Sequence, residues 1–173
     1  MSEAAFAKAF AFLKQWEGGD SQPRPGDPNP TRAGLTEATD DRLEREWGVE
    51  NEAVFERDPK EIERAYRILW LESGAAWLPE AGAVAYFDSV VNLGQGQAVK
   101  LLQRALGVTA DGALGPDTLA AMKAVADGRE LAVRLTGLRI RFYKDLVVKR
   151  PEKARWMNGW TNRVSALQKA VGL

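Results

Sequence analysis

The chain has 173 residues, with 24 Lys+Arg against 24 Asp+Glu and neither cysteine nor histidine. That length fills one compact domain, or one domain with a small appendage. Without Cys or His, disulfides, thiol nucleophiles, Ser-His or Cys-His catalysis and His/Cys zinc sites are excluded, so an enzyme built on this chain draws its acid and base from carboxylates.

No apolar run approaches the roughly eighteen residues of a membrane span, so no stable membrane insertion is expected. Met1-Ser2-Glu3 lacks the basic n-region of a secretory signal. The expectation is a protein made in the cytoplasm without a signal peptide. Charge is uneven: residues 129–173 hold eleven Lys/Arg against three Asp/Glu, and residues 1–128 hold thirteen against twenty-one. A basic C-terminal part suits an anionic polymer surface, or a solvated face balanced by acidic neighbours within the fold. No nucleic-acid-binding motif is present, and no nucleic-acid partner is expected.

Ser2 is a candidate cap for a first helix running to about Trp16. Phe6, Phe10, Leu13 and Trp16/Glu17 share one face at helical spacing. Gly18-Gly19 stop it. The stretch from Asp20 to Thr36 carries Pro23, Pro25, Pro28 and Pro30, too many for helix or central strand, and leaves room for one short β-hairpin. Thr36 caps a charged helix over Glu37–Trp47 whose apolar anchors are Leu43 and Trp47, one turn apart. Asp58-Pro59-Lys60-Glu61 is a helix start of cap, first-turn proline and third-position acid. Glu80–Leu93 is apolar nearly all round, the mark of a central buried helix. Gln95–Leu106 follows. A turn through Asp111-Gly112 leads into a helix from Pro116 to about Ala126. An amphipathic helix runs from Glu130 to about Val148 on Leu131, Leu135, Leu138, Phe142 and Leu146. A last helix carries Trp156, Trp160, Val164 and Leu167. The fold class is all-α, a single compact core of seven or eight helices.

Glu17 lies beside the apolar stripe, at the negative end of its helix dipole; both conditions favour a neutral carboxyl, as a general acid requires. The competing reading is a cap or salt bridge at a helix end. Asp88 and Asn92 lie one turn apart on the central helix and either brace the fold or face a cleft. The six tryptophans are read mostly as packing, with sugar stacking as the alternative.

In order along the chain, Glu17-Gly18-Gly19, Asp27-Pro28-Asn29-Pro30-Thr31-Arg32-Ala33-Gly34-Leu35-Thr36, Phe87-Asp88-Ser89-Val90-Val91-Asn92-Leu93-Gly94, Leu101-Leu102-Gln103-Arg104, Asp111-Gly112-Ala113-Leu114-Gly115-Pro116-Asp117-Thr118 and Gly159-Trp160-Thr161-Asn162-Arg163 resemble glycoside hydrolase family 108 and the peptidoglycan-binding segment that accompanies it. Asn29-Pro30 replaces the family's loop glycine pair, Arg32 its usual asparagine, and Asp20 the aromatic that often follows Glu-Gly-Gly. The resemblance implies a lysozyme-like fold, with residues 1–80 as a catalytic muramidase part and 81–173 as a peptidoglycan-binding-like part packed on it. It implies cleavage of the β-1,4 bond between N-acetylmuramic acid and N-acetylglucosamine, with Glu17 as general acid.

Asp27 is then the second carboxylate, with an Asx turn before Pro28 as its alternative, and Thr31 positions water. Gly34, Thr36, Asp88 and Asn92 are candidate substrate-binding residues. The expected partner is the peptidoglycan glycan strand, reached through a holin or a dedicated export system by a monomer acting on the wall, with no cofactor and no metal. The alternatives are a noncatalytic peptidoglycan-binding module or cell-wall accessory protein, and a helical adaptor with no glycan role.

Overall fold

The computed structural model describes residues 3–17, 31–32, 35–36, 42–43, 45–46 and 59–173. Helix α1 (Glu3–Glu17) is followed by β1 (Thr31–Arg32) and β2 (Leu35–Thr36), then α2 (Pro59–Glu72), a 3-10 turn (Ala75–Trp77), α3 (Glu80–Leu93), α4 (Gln95–Leu106), α5 (Pro116–Lys123), α6 (Gly128–Lys149), a second 3-10 turn (Pro151–Trp156) and α7 (Met157–Ala170). The two strands make a minimal antiparallel pair with Thr31 opposite Thr36 and Arg32 opposite Leu35. Among the described residues all other regular structure is helix, as an all-α, lysozyme-like fold requires. Of the helix expected over Glu37–Trp47, residues 42, 43, 45 and 46 are helical; the rest, Trp47 included, lie outside the described residues. Leu43 is fully buried, and Arg42 donates both guanidinium ends to Glu72 at 2.9 Å, which ties this segment to α2.

Helix α3 is the axis of the molecule. Gly82 through Val90 are all buried, because α1, α4 and α6 pack around it. Pro79 precedes its first turn, and Gly94, with φ of 80°, ends it in a conformation that favours glycine. On the α1 side, the Phe6, Phe10 and Leu13 stripe meets Tyr66 and Trp70 of α2. Phe10 lies 5.5 Å from Tyr66, Phe6 meets Trp70 edge-on at 5.7 Å, and Trp70 meets Phe87 edge-on at 5.1 Å. Each such side chain, fully buried, contributes roughly 1.5–3 kcal/mol.

On its other side α3 lies against α6 at two small residues. A Cβ on Gly82 would come within 2.8 Å of Leu131 Cδ2, and one on Gly128 within 2.8 Å of Pro79 Cβ. This close approach sets the axial register of the two helices, and the register brings Asp88 opposite Arg139 and Asn92 opposite Tyr143.

Two boundaries differ from expectation. Helix α5 stops at Lys123, three residues early. Helix α6 starts at Gly128, because the Asp127 side chain accepts from the backbone N–H groups of Arg129 and Glu130 at 2.8 and 3.1 Å. A capped first turn tolerates glycine there.

The stripe expected on α6 also divides. Leu131, Leu135, Arg139 and Tyr143 form the buried line, while Leu138, Phe142 and Leu146 are only half-buried.

Candidate active site

Helix α1 delivers Glu17 to its C-terminal end, where the side chain is 20% exposed and pairs with Arg163 of α7. The surroundings expected for Glu17 were apolar; the group it meets is a guanidinium. Arg163 is itself 7% exposed at its side chain and divides its fork. Nη1 goes to Glu17, while Nη2 and Nε reach Asp88 Oδ1 at 2.7 and 3.1 Å.

Asp88 Oδ2 is taken by Arg139 Nη1. Arg139 Nε donates to the Tyr143 hydroxyl at 2.7 Å, and that hydroxyl donates to Asn92 Oδ1 at 2.6 Å. Trp160, one turn before Arg163, stacks on Tyr143 at 4.7 Å between ring centroids. A polar chain thus runs from Asn92 through Tyr143, Arg139, Asp88 and Arg163 to Glu17.

Burial alone would push the Asp88 carboxyl up, but the charges of Arg139 and Arg163 and their hydrogen bonds outweigh it and hold the group below the ordinary carboxylate value. For Arg163, burial works against the cation, and Asp88 and Glu17 overcome it, so the guanidinium stays charged. Burial also raises the Tyr66 phenol, with the neighbouring Glu17 carboxylate adding to the shift. The site is therefore a fixed array of two carboxylates and two guanidiniums, in which Glu17 is the charged group that reaches solvent. Among the described residues no group of three or more carboxylates could hold a metal ion, and no helix is long and apolar enough to cross a membrane.

Asp88, at 1% exposure, cannot touch a ligand; of the two readings open for it, the geometry takes the bracing one, so its expected substrate-binding role is corrected. Asn92 is partly exposed and joins the same array. Thr31 and Thr36 are backbone partners in the register of the strand pair. Asp27 and Gly34 lie outside the described residues.

Of the described tryptophans only Trp70 is buried. Trp160 is partly buried and stacks on Tyr143, and Trp47 lies outside the described residues, whereas Trp16, Trp77 and Trp156 are 36%, 54% and 51% exposed. They sit at helix ends and in 3-10 turns, where Lys123 covers Trp77 and Arg155 covers Trp156.

Sequence reasoning assigned no role to Arg139, Tyr143 or Arg163. One signal was present: an arginine at position 139, four residues after Leu135 and four before Tyr143, lies on a core-facing line, where a charge must be paired.

The motif around Asp111 has a structural basis. Buried Gln103 accepts from the Gly112 N–H at 2.8 Å and donates to Asp111 Oδ1, the Ala113 carbonyl and Thr118 Oγ1 at 2.7 to 3.0 Å. It fixes the α4–α5 connection, so Asp111 and Gly112 act in folding that turn.

Residues 10–94 match the family model described as Glycosyl hydrolase 108, and residues 97–165 match the one described as Predicted Peptidoglycan domain. The two models follow the order expected from the sequence. No curated protein matches the chain. Among solved structures, that of Brucella abortus SagA is similar over 98% of this chain and 95% of that one, at 30% identity and a TM-score of 0.80. With this likeness over its whole length and the glutamate of α1 at the mouth of a charged array, the chain belongs to the glycosyl hydrolase 108 family and is a lysozyme-like, peptidoglycan-active protein.

Proposed function

We propose that the protein is an endolysin-type N-acetylmuramidase that cleaves the β-1,4 bond between N-acetylmuramic acid and N-acetylglucosamine. The observation that carries the reading is the placement of Glu17: it is the solvent-reached end of an otherwise buried ionic array, held at a helix terminus by Arg163. In the reacting state Glu17 carries a proton and gives it to the glycosidic oxygen as the C–O bond breaks; the bonding electron pair stays with that oxygen, and the carboxylate left behind is the form that pairs with Arg163. A water molecule adds its oxygen to the anomeric carbon, and its proton passes to the second carboxylate, assigned to Asp27, with Thr31 orienting the water. Asp27 and Thr31 enter through the family resemblance. Trp16, adjacent to Glu17 and partly exposed, offers an indole face for a sugar ring.

On this reading the catalytic part, residues 1–80, and the peptidoglycan-binding part, residues 81–173, work as one body, because Arg163 of the second holds Glu17 of the first. The protein reaches the wall through a holin or a dedicated export route and acts as a monomer.

Digestion of purified walls followed by mass spectrometry tests the bond. Fragments ending in reducing N-acetylmuramic acid are expected, and Glu17→Gln should yield none. Fragments ending in reducing N-acetylglucosamine would overturn the assignment.

A second reading, a noncatalytic wall-binding module, is favoured by the same ion pair taken purely as a brace. It requires that the parent protein bind walls and release no fragments.

A further inference from the structure

Leu138, Phe142 and Leu146 leave the buried line of α6 and, with Leu101 of α4, form the floor of a groove of about 500 Å³ between the two helices. Three large apolar side chains only partly buried on one helix face give the groove an apolar floor for a ligand. The rim is charged and mostly of one sign: Arg104 from α4, Arg141 and Lys149 from α6, and one carboxylate, Asp145.

These cations are uncommitted. Six other arginines, Arg42, Arg64, Arg67, Arg134, Arg139 and Arg163, have carboxylate partners, whereas Arg129, Arg150 and Arg155, like the rim cations, have none among the described residues. Among the described residues no carboxylate lies in ion-pair contact with Arg104, Arg141 or Lys149, although Asp145 stands one helical turn from both α6 cations. The groove neighbours one end of the polar chain: the Phe142 ring lies 5.9 Å from Tyr143, which carries the stacked Trp160 and is linked to Glu17 through Arg139, Asp88 and Arg163.

We propose that this groove binds the peptide stem of peptidoglycan, a short peptide with several carboxylates and alanyl methyl groups. The methyl groups lie on the Leu138–Phe142–Leu146 floor, and the carboxylates meet Arg104, Arg141 and Lys149. Arginine suits this task, since its planar fork takes a carboxylate bidentately. The inference rests on the muramidase reading and adds a part of the substrate that Glu17 does not address: the glycan strand passes Glu17 while its peptide is held in the groove between α4 and α6.

The test uses the full chain and two soluble probes, the disaccharide carrying an L-Ala–γ-D-Glu–diaminopimelyl–D-Ala stem and the same disaccharide without peptide. Calorimetry should show tighter binding of the stem-bearing probe, weakening with added salt as charge pairing requires. Arg104→Glu combined with Arg141→Glu should lower affinity for that probe by about tenfold, the scale expected for losing and reversing two rim charges. The neutral pair Arg104→Gln and Arg141→Gln gives a smaller loss and serves if charge reversal disturbs folding, which thermal unfolding reports.

Equal affinity for the two probes overturns the proposal, as does binding of an unrelated acidic peptide as tightly as the stem. If Glu17→Gln abolishes wall lysis while the probes bind equally, the groove assignment fails and the muramidase reading stands. If the parent protein neither lyses nor binds walls, both fail.

Discussion

Glu17 and Arg163 stand 146 positions apart in the sequence and form one ion pair. The pair joins the end of the first helix to the last helix, and so joins the part of the chain that matches a glycosyl hydrolase model to the part that matches a peptidoglycan domain. Arg163 cannot move without releasing Glu17, and Asp88 keeps Arg163 from moving, because it holds the other edge of the same guanidinium.

Glu17→Gln should abolish wall lysis and leave the fold intact. The amide keeps the shape and an oxygen acceptor for Arg163 Nη1 but carries no acidic proton. Loss of a general acid typically costs 10²–10⁴-fold in rate, which in a turbidity assay reads as no lysis. Arg163 keeps its bonds to Asp88, so the unfolding midpoint should shift by only a few degrees, within the range of a ~1 kcal/mol change. Lysis at near-parent rate would remove Glu17 from the mechanism.

Arg163→Lys and Arg163→Gln should separate charge from geometry. Lysine keeps the charge but cannot hold Glu17 and Asp88 at once through one planar fork. Glutamine removes the charge and leaves Asp88 with Arg139 alone. Stability should fall in the order parent, Lys, Gln, with the Gln variant losing about 3 kcal/mol or more, as expected when one partner of a buried ion pair is removed. As a positioning residue, Arg163 should affect kcat more than KM, and the Lys variant should recover part of kcat. A stability loss with unchanged kcat would reduce Arg163 to a brace.

The parts of this fold legible in the sequence are those that local chemistry decides. Helices α3 and α4 have the bounds expected of them, Glu80–Leu93 and Gln95–Leu106, because Pro79, Gly94 and Gly107 punctuate the chain whatever packs on it. The start of α6 was misplaced because Gly128 reads as a breaker until Asp127 is seen capping it. The face of α6 was rotated for a different reason. Periodicity counts apolar residues as inward, but here Arg139 and Tyr143 occupy the buried line, since paired charge and a bonded phenol are admitted to a core. Glu17 was legible from its position at a helix end. Arg163 was not, because an ion pair across 146 residues leaves no local pattern.

Gln103→Ala should loosen the α4–α5 connection without touching the site. One buried side chain makes four of that turn's hydrogen bonds. Deleting it leaves the Gly112 N–H and the acceptors around it to find other partners, and a group left unsatisfied in the protein costs about 1–3 kcal/mol. Hydrogen exchange should accelerate over residues 107–118 while kcat stays at the parent value. A fall in kcat with unchanged exchange in this segment would assign the motif a role beyond folding.

Asp88 should make the protein sensitive to acid. Its carboxyl lies below the ordinary value in the folded chain, because Arg139 and Arg163 outweigh the cost of burial, whereas in the unfolded chain it titrates near ~4. As pH falls past that unfolded value, the unfolded chain takes up the proton before the folded one does. Stability supplied by the charged Asp88 is therefore complete above about 4 and drains away as pH falls toward the folded value. Asp88→Asn removes this dependence and leaves two buried guanidiniums without their shared anion. It should cost about 3–5 kcal/mol at neutral pH, the loss typical of breaking a buried pair. Its stability should also fall less steeply than the parent's as the pH drops below 4. Denaturant unfolding of both proteins between pH 7 and pH 2 reads both effects. Parallel curves would show that the Asp88 array contributes no acid sensitivity, and equal stability at neutral pH would show that Arg139 and Arg163 do not depend on its charge.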